Sequence, residues 1–459
     1  MREPQLRLFP ADAFAADSDL GRLTTVLEVL PDEALCRALD RKDHPQGRNK
    51  NHTARQLLHV MIAGVVFRHE KQTLLLDELK RNSDLRDAVG LWGAESVPKD
   101  YDMSRFLPRL LEQEALIEAM VAELVHEIRK HFPDFGLHQA IDGMEVHSYA
   151  RGKSDPAESS DPEATWGVKT RRSKRKDGSL YEQVYKWFGY KLHLLVDTQY
   201  ELPLAFRVTT ASHDEAKELL PLIDQAASHL AGEAWDREAW EDKQAAWAEQ
   251  EGTKDKPEPV SRVFEGVALA GDKAHDQEST FRDLHQQYRM KPVVPLVEHW
   301  DKAEGLSVYD RDRHTRVQNE ETGEYADLTW LGYEKDRETS KYGCPCDGTG
   351  PCPYFGARCN KSRGGPGALF RIKVDENWRY YPAIARDTKK WDREYNKRSA
   401  VERVNSRLAL LEIKKSGYRG HGKIAMRCAL GVLVMLAHAV ACLRAGKPEL
   451  VRTLSKAAA

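Results

Sequence analysis

Three acidic residues of the 459-residue chain lie where their carboxylates can converge. Asp142 lies within a predicted strand, Asp272 ends another, and Glu402 lies on a long predicted helix. Converging carboxylates repel one another unless a cation lies among them, and their hard oxygen atoms favour Mg²⁺ or Mn²⁺. Two such ions are a standard means of in-line attack on a phosphodiester. With 72 acidic residues in the chain, solvated acids and turn formers remain the alternative interpretation.

A second possible metal site is formed by cysteines. Four of the seven cysteines fall within 344–359, in two close pairs that can provide the soft ligands of a structural Zn²⁺. Their spacing differs from the usual C-x2-C, so a loop with reduced thiols is the alternative. The predicted ligands are Cys344, Cys346, Cys352 and Cys359.

Clusters of basic residues predict contacts with DNA phosphates. Residues 389–427 hold 12 Lys and Arg against 4 acids, and KTRRSKRK (169–176), predicted as a loop, has 6 cations in 8 residues. Cations on phosphates provide the sequence-independent part of DNA affinity. A solvated charged surface is the alternative for any single residue. The candidates are Arg171, Arg172, Lys191, His193 and Arg398.

Composition restricts the class of protein. The chain is 41% hydrophobic and 31% charged, as in a globular protein, and its length corresponds to two to three domains. Its net charge of −2 provides no overall electrostatic attraction for nucleic acid or membrane, so any such attraction must be local. No signal peptide is evident, and the apolar run 428–443 predicts a buried helix, so we expect a cytoplasmic protein without a membrane partner. Neither a G-x-S-x-G turn nor a P-loop occurs, which disfavours serine hydrolysis and nucleotide hydrolysis.

Hydrophobic patterning predicts the elements that position these residues. Helices are predicted within 53–130 and over 214–230, 278–288, 390–413 and 423–444. Strands are predicted over 137–150, 186–198, 201–210, 266–272 and 291–297, with a hairpin over 370–385. The fold class is mixed α/β, in the order of a ribonuclease H-like domain.

The same patterning predicts four parts of the chain. Residues 1–135 form a helical N-terminal domain that we expect to bind DNA. Residues 136–299 begin the catalytic domain and include an acidic linker at 233–258. Residues 300–385 form an inserted, partly β subdomain with the cysteines and the hairpin. Residues 386–459 complete the catalytic domain with helices.

Four segments together make the chain resemble the DDE transposases of prokaryotic insertion sequences, of the cut-and-paste type. They are AIDGMEVHSYA, WFGYKLHLLVDTQYELPLAFRVTTASHDEAKELLPLI, LAGDKAHD and YNKRSAVERVNSRL. The resemblance implies that Asp142, Asp272 and Glu402 are the catalytic triad and bind two Mg²⁺ or Mn²⁺ ions. It further implies cleavage at the terminal inverted repeats of an element, strand transfer into target DNA, a homodimer, and action at the nucleoid.

Two positions depart from the family pattern. The signature Y-x2-R-x3-E matches Tyr395, Arg398 and Glu402, but the usual later cation is replaced by Ala409, for which Arg403 or Arg407 can substitute. His275 stands where the family often has Tyr. These departures concern DNA orientation, so Tyr395, Arg403 and Arg407 join the predicted DNA contacts.

Two alternatives stay open at this stage. One is a metal-dependent DNA nuclease on the same fold, which would cut DNA without joining it to a target. The other is a transposase derivative that binds DNA and has lost catalysis.

Overall fold

A computed structural model describes most of the chain with side chains. The residues described are 18–41, 51–155, 158–174, 180–231, 241–242, 245–246, 262–297, 315–319, 322–346, 348–349, 352, 354, 359–361, 364–365 and 367–453. The predicted acidic linker 233–258 lies almost entirely outside them.

The N-terminal part is helical, as predicted. Thr53 begins α3 with a capping box, because its side chain accepts from Gln56 N while the Gln56 side chain accepts from Thr53 N. Pro108 lies inside α6, which ends at Leu111, and α7 begins at Glu114, so the helical periodicity of this stretch belongs to two helices. The helices are α1 (Asp19–Val29), α2 (Glu33–Arg41), α3 (Ala54–Val66), α4 (Gln72–Arg81), α5 (Ser83–Ala88), α6 (Asp100–Leu111) and α7 (Glu114–His131).

A six-stranded mixed sheet follows. Strand β1 is central: it pairs antiparallel with β3 and parallel with β5, which pairs parallel with β6. The other edge of β3 pairs with β2 and β4. The strands are β1 (His138–His147), β2 (Thr165–Lys174), β3 (Leu180–Asp197), β4 (Leu202–Thr210), β5 (Ala268–Ala270) and β6 (Lys291–Val293). An antiparallel meander followed by parallel strands beyond β1 is ribonuclease H-like, which confirms the predicted fold class.

Strand β2 corrects the prediction of a basic loop at 169–176. Lys169–Lys174 pair with the first half of β3, which is longer than the predicted strand 186–198. An edge strand exposes many of its side chains to water, so a run of cations is compatible with pairing there. A run of cations is therefore compatible with either a loop or an edge strand.

Helices cover the sheet. They are α8 (Leu219–Ala231), α9 (Glu278–Tyr288), α10 (Lys389–Asn396), α11 (Ser399–Leu410) and α12 (His421–Arg444). The predicted helix 390–413 is in fact two helices, with a turn at Lys397 and Arg398. Helix α12 is apolar and long enough to span a membrane, but 83% of its most apolar window is buried inside the fold, as in a core helix.

A buried arginine joins the N-terminal helices to this core. Arg427 of α12 is 5% exposed, and its Nη2 donates to the carbonyl oxygens of Gly64, His69 and Leu411 at 3.2–3.3 Å. The last turns of α3 and α11 are therefore held at one point of α12.

The inserted part, predicted to be partly β, contains short antiparallel strands. They are β7 (Arg316–Gln318), β8 (Tyr325–Asp327), β9 (Thr329–Glu334), β10 (Thr339–Gly343) and β11 (Leu369–Lys373). The hairpin predicted over 370–385 is wrong: β11 pairs with β10, and turns follow it. The loop after β11 is instead fixed by Arg379, whose guanidinium binds both carboxylate oxygens of Asp276 at 2.9 and 2.6 Å.

Candidate active site

Two parallel strands place Asp142 and Asp272 side by side. In the pairing of β1 with β5, Ala140 lies opposite Ala270, and each acid follows its alanine by two residues. Strand β5 ends before Asp272, whose Oδ1 accepts from Ala274 N at 2.9 Å and so caps a short turn. The two carboxylates therefore meet at the carboxyl edge of the sheet, where α/β folds commonly place functional groups.

A third carboxylate completes this cluster, and it belongs to Glu215. Oxygen atoms of Asp142, Glu215 and Asp272 all lie within 4.8 Å of one another. Glu215 follows β4, in a short turn capped by Asp214. The sequence did not point to Glu215, because it lies at the start of the predicted helix 214–230 rather than on a predicted strand.

The electrostatics of the cluster are those of crowded negative charge. Burial, together with the charges of Asp272 and Glu215, raises the pKa of Asp142 from 3.8 to about 6. Burial alone would raise the pKa of Glu215 as well, but Lys191, with Nζ 2.8 Å from Glu215 Oε1, lowers it. Lys191 thus compensates the negative charge of Glu215, whereas the negative charge of Asp142 is not fully compensated.

Glu402 lies one side chain away from the cluster. It is in the first turn of α11, its side chain is 55% exposed, and its Oε1 accepts from Arg398 Nη2 at 2.6 Å. The other end of the same guanidinium, Nη1, lies 3.9 Å from Asp142 Oδ2. Arg398 therefore occupies the space between Asp142 and Glu402 with positive charge.

Asn405 is a further polar contact that sequence reasoning missed. Its Nδ2 lies 3.5 Å from Asp142 Oδ2, and its Oδ1 is buried without a partner among the described residues. Asn405 is three residues after Glu402, so the two residues are neighbours on the surface of α11. That spacing is the signal from which it could have been found.

A transposase DDE domain family model matches residues 152–436, more than half of the chain. The chain belongs to this family. It is therefore a DNA transposase, an enzyme of polynucleotidyl transfer, as the resemblance implied. The matched range includes Glu215, Asp272 and Glu402, whereas Asp142 precedes it and is brought to them by the pairing of β1 with β5.

Comparison with other proteins adds one structure. A piggyBac transposase, from a cryo-EM synaptic complex with hairpin DNA, is 9% identical, with a TM-score of 0.39 over 95% of this chain and 79% of that one. A TM-score this low carries no argument about fold or function. No curated protein matches the chain.

The predicted DNA contacts of the transposase divide by exposure. Arg403 is 53% exposed and pairs with Glu201 Oε1 at 2.8 Å, and Tyr395 is half-buried and stacks on Trp391 with ring centroids 4.8 Å apart. Arg171 and Arg172 belong to β2, and their side chains lie outside the described set.

The other predicted contacts are buried. Arg407 is 6% exposed and donates to the carbonyl oxygen of Glu201. His193 is 1% exposed, binds Thr209 Oγ1 at 2.8 Å, and has its pKa lowered to about 4 by burial. Lys191 is committed to Glu215. These three side chains contact protein groups rather than forming an exposed surface.

The four predicted cysteine ligands converge in the insertion. Their sulfur atoms all lie within 4.8 Å of one another, with Cys344 Sγ 3.4 Å from Cys352 Sγ and Cys346 Sγ 3.5 Å from Cys359 Sγ. These separations exceed a disulfide bond, so the thiols are free. Hydrogen bonds, chiefly from the Lys361 backbone, lower the pKa of Cys359 to about 7.

Proposed function

We propose that Asp142 and Asp272 hold the divalent ions of DNA strand cleavage and transfer, with Glu402 as the third catalytic carboxylate. The observation that supports this most directly is the convergence of Asp142 and Asp272, which lie on neighbouring parallel strands with carboxylate oxygen atoms within 4.8 Å of each other. The donor set is entirely oxygen, and the pKa of Asp142 is raised by burial and by the negative charges of Asp272 and Glu215, which a cation would neutralise. Both features fit Mg²⁺ or Mn²⁺.

When bound, such ions would activate the attacking oxygen and stabilise the leaving one. The protein provides the geometry: the β1–β5 pairing fixes two carboxylates, and the Asp272 cap on Ala274 N restricts one of them. Asn405 Nδ2 orients the Asp142 carboxylate from the side of α11.

Arg398 has a second role in this proposal. Without DNA it neutralises Asp142 and Glu402 together. A DNA phosphate offers its planar guanidinium an alternative partner. Rotation of Arg398 towards phosphate would free Glu402 to turn towards Asp142, so DNA binding would complete the site.

The DNA surface proposed here combines four of the predicted residues with Lys169. Arg403, Tyr395, Arg171 and Arg172 remain candidates, and Lys169 adds a 46% exposed side chain whose Nζ lies 3.2 Å from Gly143 O. The partner is double-stranded DNA, namely the terminal inverted repeats of an element and its target. Bringing two element ends together requires a homodimer, which light scattering of the protein on end-containing DNA would test. We propose that the protein acts in the cytoplasm, at the nucleoid.

We also propose that the cysteine cluster holds a structural Zn²⁺. Four sulfur ligands with Zn–S bonds of about 2.3 Å would lie roughly 3.8 Å apart, close to the separations in the structure. Cys344 and Cys352 are part of the small core of the insertion, with Leu328, Tyr342 and Ile372. Metal analysis of purified protein should find one zinc per chain.

Incubation with DNA carrying an element end tests the catalytic assignment. We expect cleavage with Mg²⁺ or Mn²⁺ and none with EDTA. Joining of the cut end to a target plasmid would separate a transposase from a nuclease on the same fold. Binding without cleavage under any divalent ion would indicate the non-catalytic derivative, and metal-independent cleavage would refute the assignment.

A further inference from the structure

We propose that Glu215 is an additional carboxylate ligand of the divalent-ion site and that Lys191 is the positioning residue that holds it there. This inference rests on the proposed function, since it presumes that Asp142 and Asp272 bind the ion. It changes the site from three carboxylates to four.

The first support is distance. Carboxylate oxygen atoms of Glu215, Asp142 and Asp272 all lie within 4.8 Å of one another. Glu402 is instead paired with Arg398. The Glu215 side chain is 14% exposed and that of Glu402 is 55% exposed. In the DNA-free chain, Glu215 is therefore the better placed glutamate.

The second support is close packing of Glu215 and Lys191 against Gly143 of β1. A Cβ atom added at Gly143 would lie 3.0 Å from Glu215 Oε1 and 3.1 Å from Lys191 Cδ. Contacts this short would require these side chains to shift by a few tenths of an ångström. The residue after Asp142 thus leaves the space in which Glu215 and Lys191 lie against the strand.

The third support is a buried imidazole beside the carboxylates. His275 has 2% of its side chain exposed, and its Nε2 lies 4.0 Å from Asp272 Oδ1, beyond hydrogen-bond distance. A water molecule of a hydrated ion held by the carboxylates would give Nε2 a hydrogen bond on this side. The other ring nitrogen, Nδ1, is buried and has no hydrogen-bond partner among the described residues.

Lys191 explains how a third carboxylate is tolerated without an ion. Its Nζ lies 2.8 Å from Glu215 Oε1 and 3.2 Å from His213 O, and its side chain is 9% exposed. The pair is neutral, so Glu215 offers a second oxygen to the cluster without a full additional negative charge. A ligand carboxylate that is hydrogen-bonded from behind is a common arrangement at metal sites.

Metal binding without DNA tests the inference, with Mn²⁺ titrations followed by calorimetry or electron paramagnetic resonance. We expect Glu215→Gln to weaken Mn²⁺ binding about tenfold or more. Glu145→Gln is the matched control, because Glu145 is a half-buried carboxylate of β1 that pairs with Lys414 and Lys169 outside the cluster. Its Mn²⁺ affinity should be that of the wild type.

A double variant separates a ligand from a structural ion pair. Glu215→Gln leaves Lys191 buried without its carboxylate, and adding Lys191→Met removes that defect. We expect the double variant to regain thermal stability while Mn²⁺ binding stays weak. Recovery of wild-type Mn²⁺ affinity in the double variant, or undiminished affinity in Glu215→Gln, would overturn the inference.

Failure here is distinguishable from failure of the proposed function. If Asp272→Asn loses Mn²⁺ binding and Glu215→Gln keeps it, Glu215 is only the partner of Lys191 and the catalytic assignment stands. If Asp142→Asn and Asp272→Asn both keep Mn²⁺ binding and DNA cleavage, the catalytic assignment itself fails.

Discussion

The carboxylate cluster and the cysteine cluster are two candidate metal sites of opposite design. The carboxylates form an open site beside the carboxyl end of β5 and are associated with protein cations, Lys191 and Arg398. The cysteines form a closed site: Cys344 and Cys352 lie in the core of the insertion, and the four sulfur atoms can close a tetrahedral shell. Closed shells are typical of structural zinc, whereas catalytic ions need positions for substrate. The carboxylate site therefore suits an ion that is exchanged during catalysis, and the cysteine site suits an ion that stays bound.

Removing a carboxylate from the open site should have the largest effect. We predict that Asp272→Asn lowers the rate of DNA end cleavage by about 10³-fold or more, since several kcal/mol of transition-state stabilisation are lost. Zinc content should be unchanged, which would separate the two sites. The measurement is single-turnover cleavage in Mg²⁺, and wild-type cleavage by this variant would contradict the assignment.

Disrupting the closed site should instead reduce stability. We predict that Cys352→Ser loses the zinc and lowers the melting temperature by several degrees, because ion binding is coupled to folding of the insertion. Cys36→Ser is the control, as Cys36 is buried outside the cluster. Equal zinc content in the two variants would exclude the cysteine cluster as the zinc site.

The burial of Asp142 in the open site should make the stability of the folded chain depend on pH. The folded pKa of Asp142, about 6, is above its ordinary 3.8, so the folded chain binds more protons between these values and loses stability as pH rises through them. Asp142→Asn should remove this loss, which corresponds to roughly 3 kcal/mol at most. In denaturant titrations with EDTA, the variant should be more stable than wild type above pH 6 and similar near pH 4. A pH-independent difference would refute the burial argument.

The smallest effect concerns the protein cation beside the open site. Arg398→Gln removes the guanidinium between Asp142 and Glu402, so Mn²⁺ affinity without DNA should rise about two- to fivefold, the scale of a partly exposed ion pair. Arg403→Gln, which loses a pair with Glu201, should leave Mn²⁺ affinity unchanged. Weaker Mn²⁺ binding in Arg398→Gln would argue against competition between the guanidinium and the ion.

The two sites also differ in how far sequence predicts them. The cysteines are close in sequence, so their spacing suffices to suggest convergence. Asp142 and Asp272 are 130 positions apart and could be paired only because the ribonuclease H-like order of elements makes the two strands that carry them neighbours. The strand order and the buried helix α12 are confirmed.

Features that depend on tertiary contacts were missed. Glu215 lies in the connection after β4, and its role depends on Lys191 and on the space beside Gly143. In place of the predicted hairpin at 370–385, β11 pairs with β10, and Arg379 ties the segment after it to Asp276. The turn at Arg398 contains neither Pro nor Gly, so periodicity gave no sign that the helix is interrupted where its guanidinium reaches Asp142.

The central claim is that Asp142 and Asp272 share a divalent ion, and anomalous X-ray diffraction from crystals of this transposase soaked in Mn²⁺ tests it most directly. The account predicts a manganese peak in contact with both carboxylates, with Glu215 at the same ion. Manganese peaks only elsewhere, with Asp142 and Asp272 lacking a metal at saturating Mn²⁺, would contradict it.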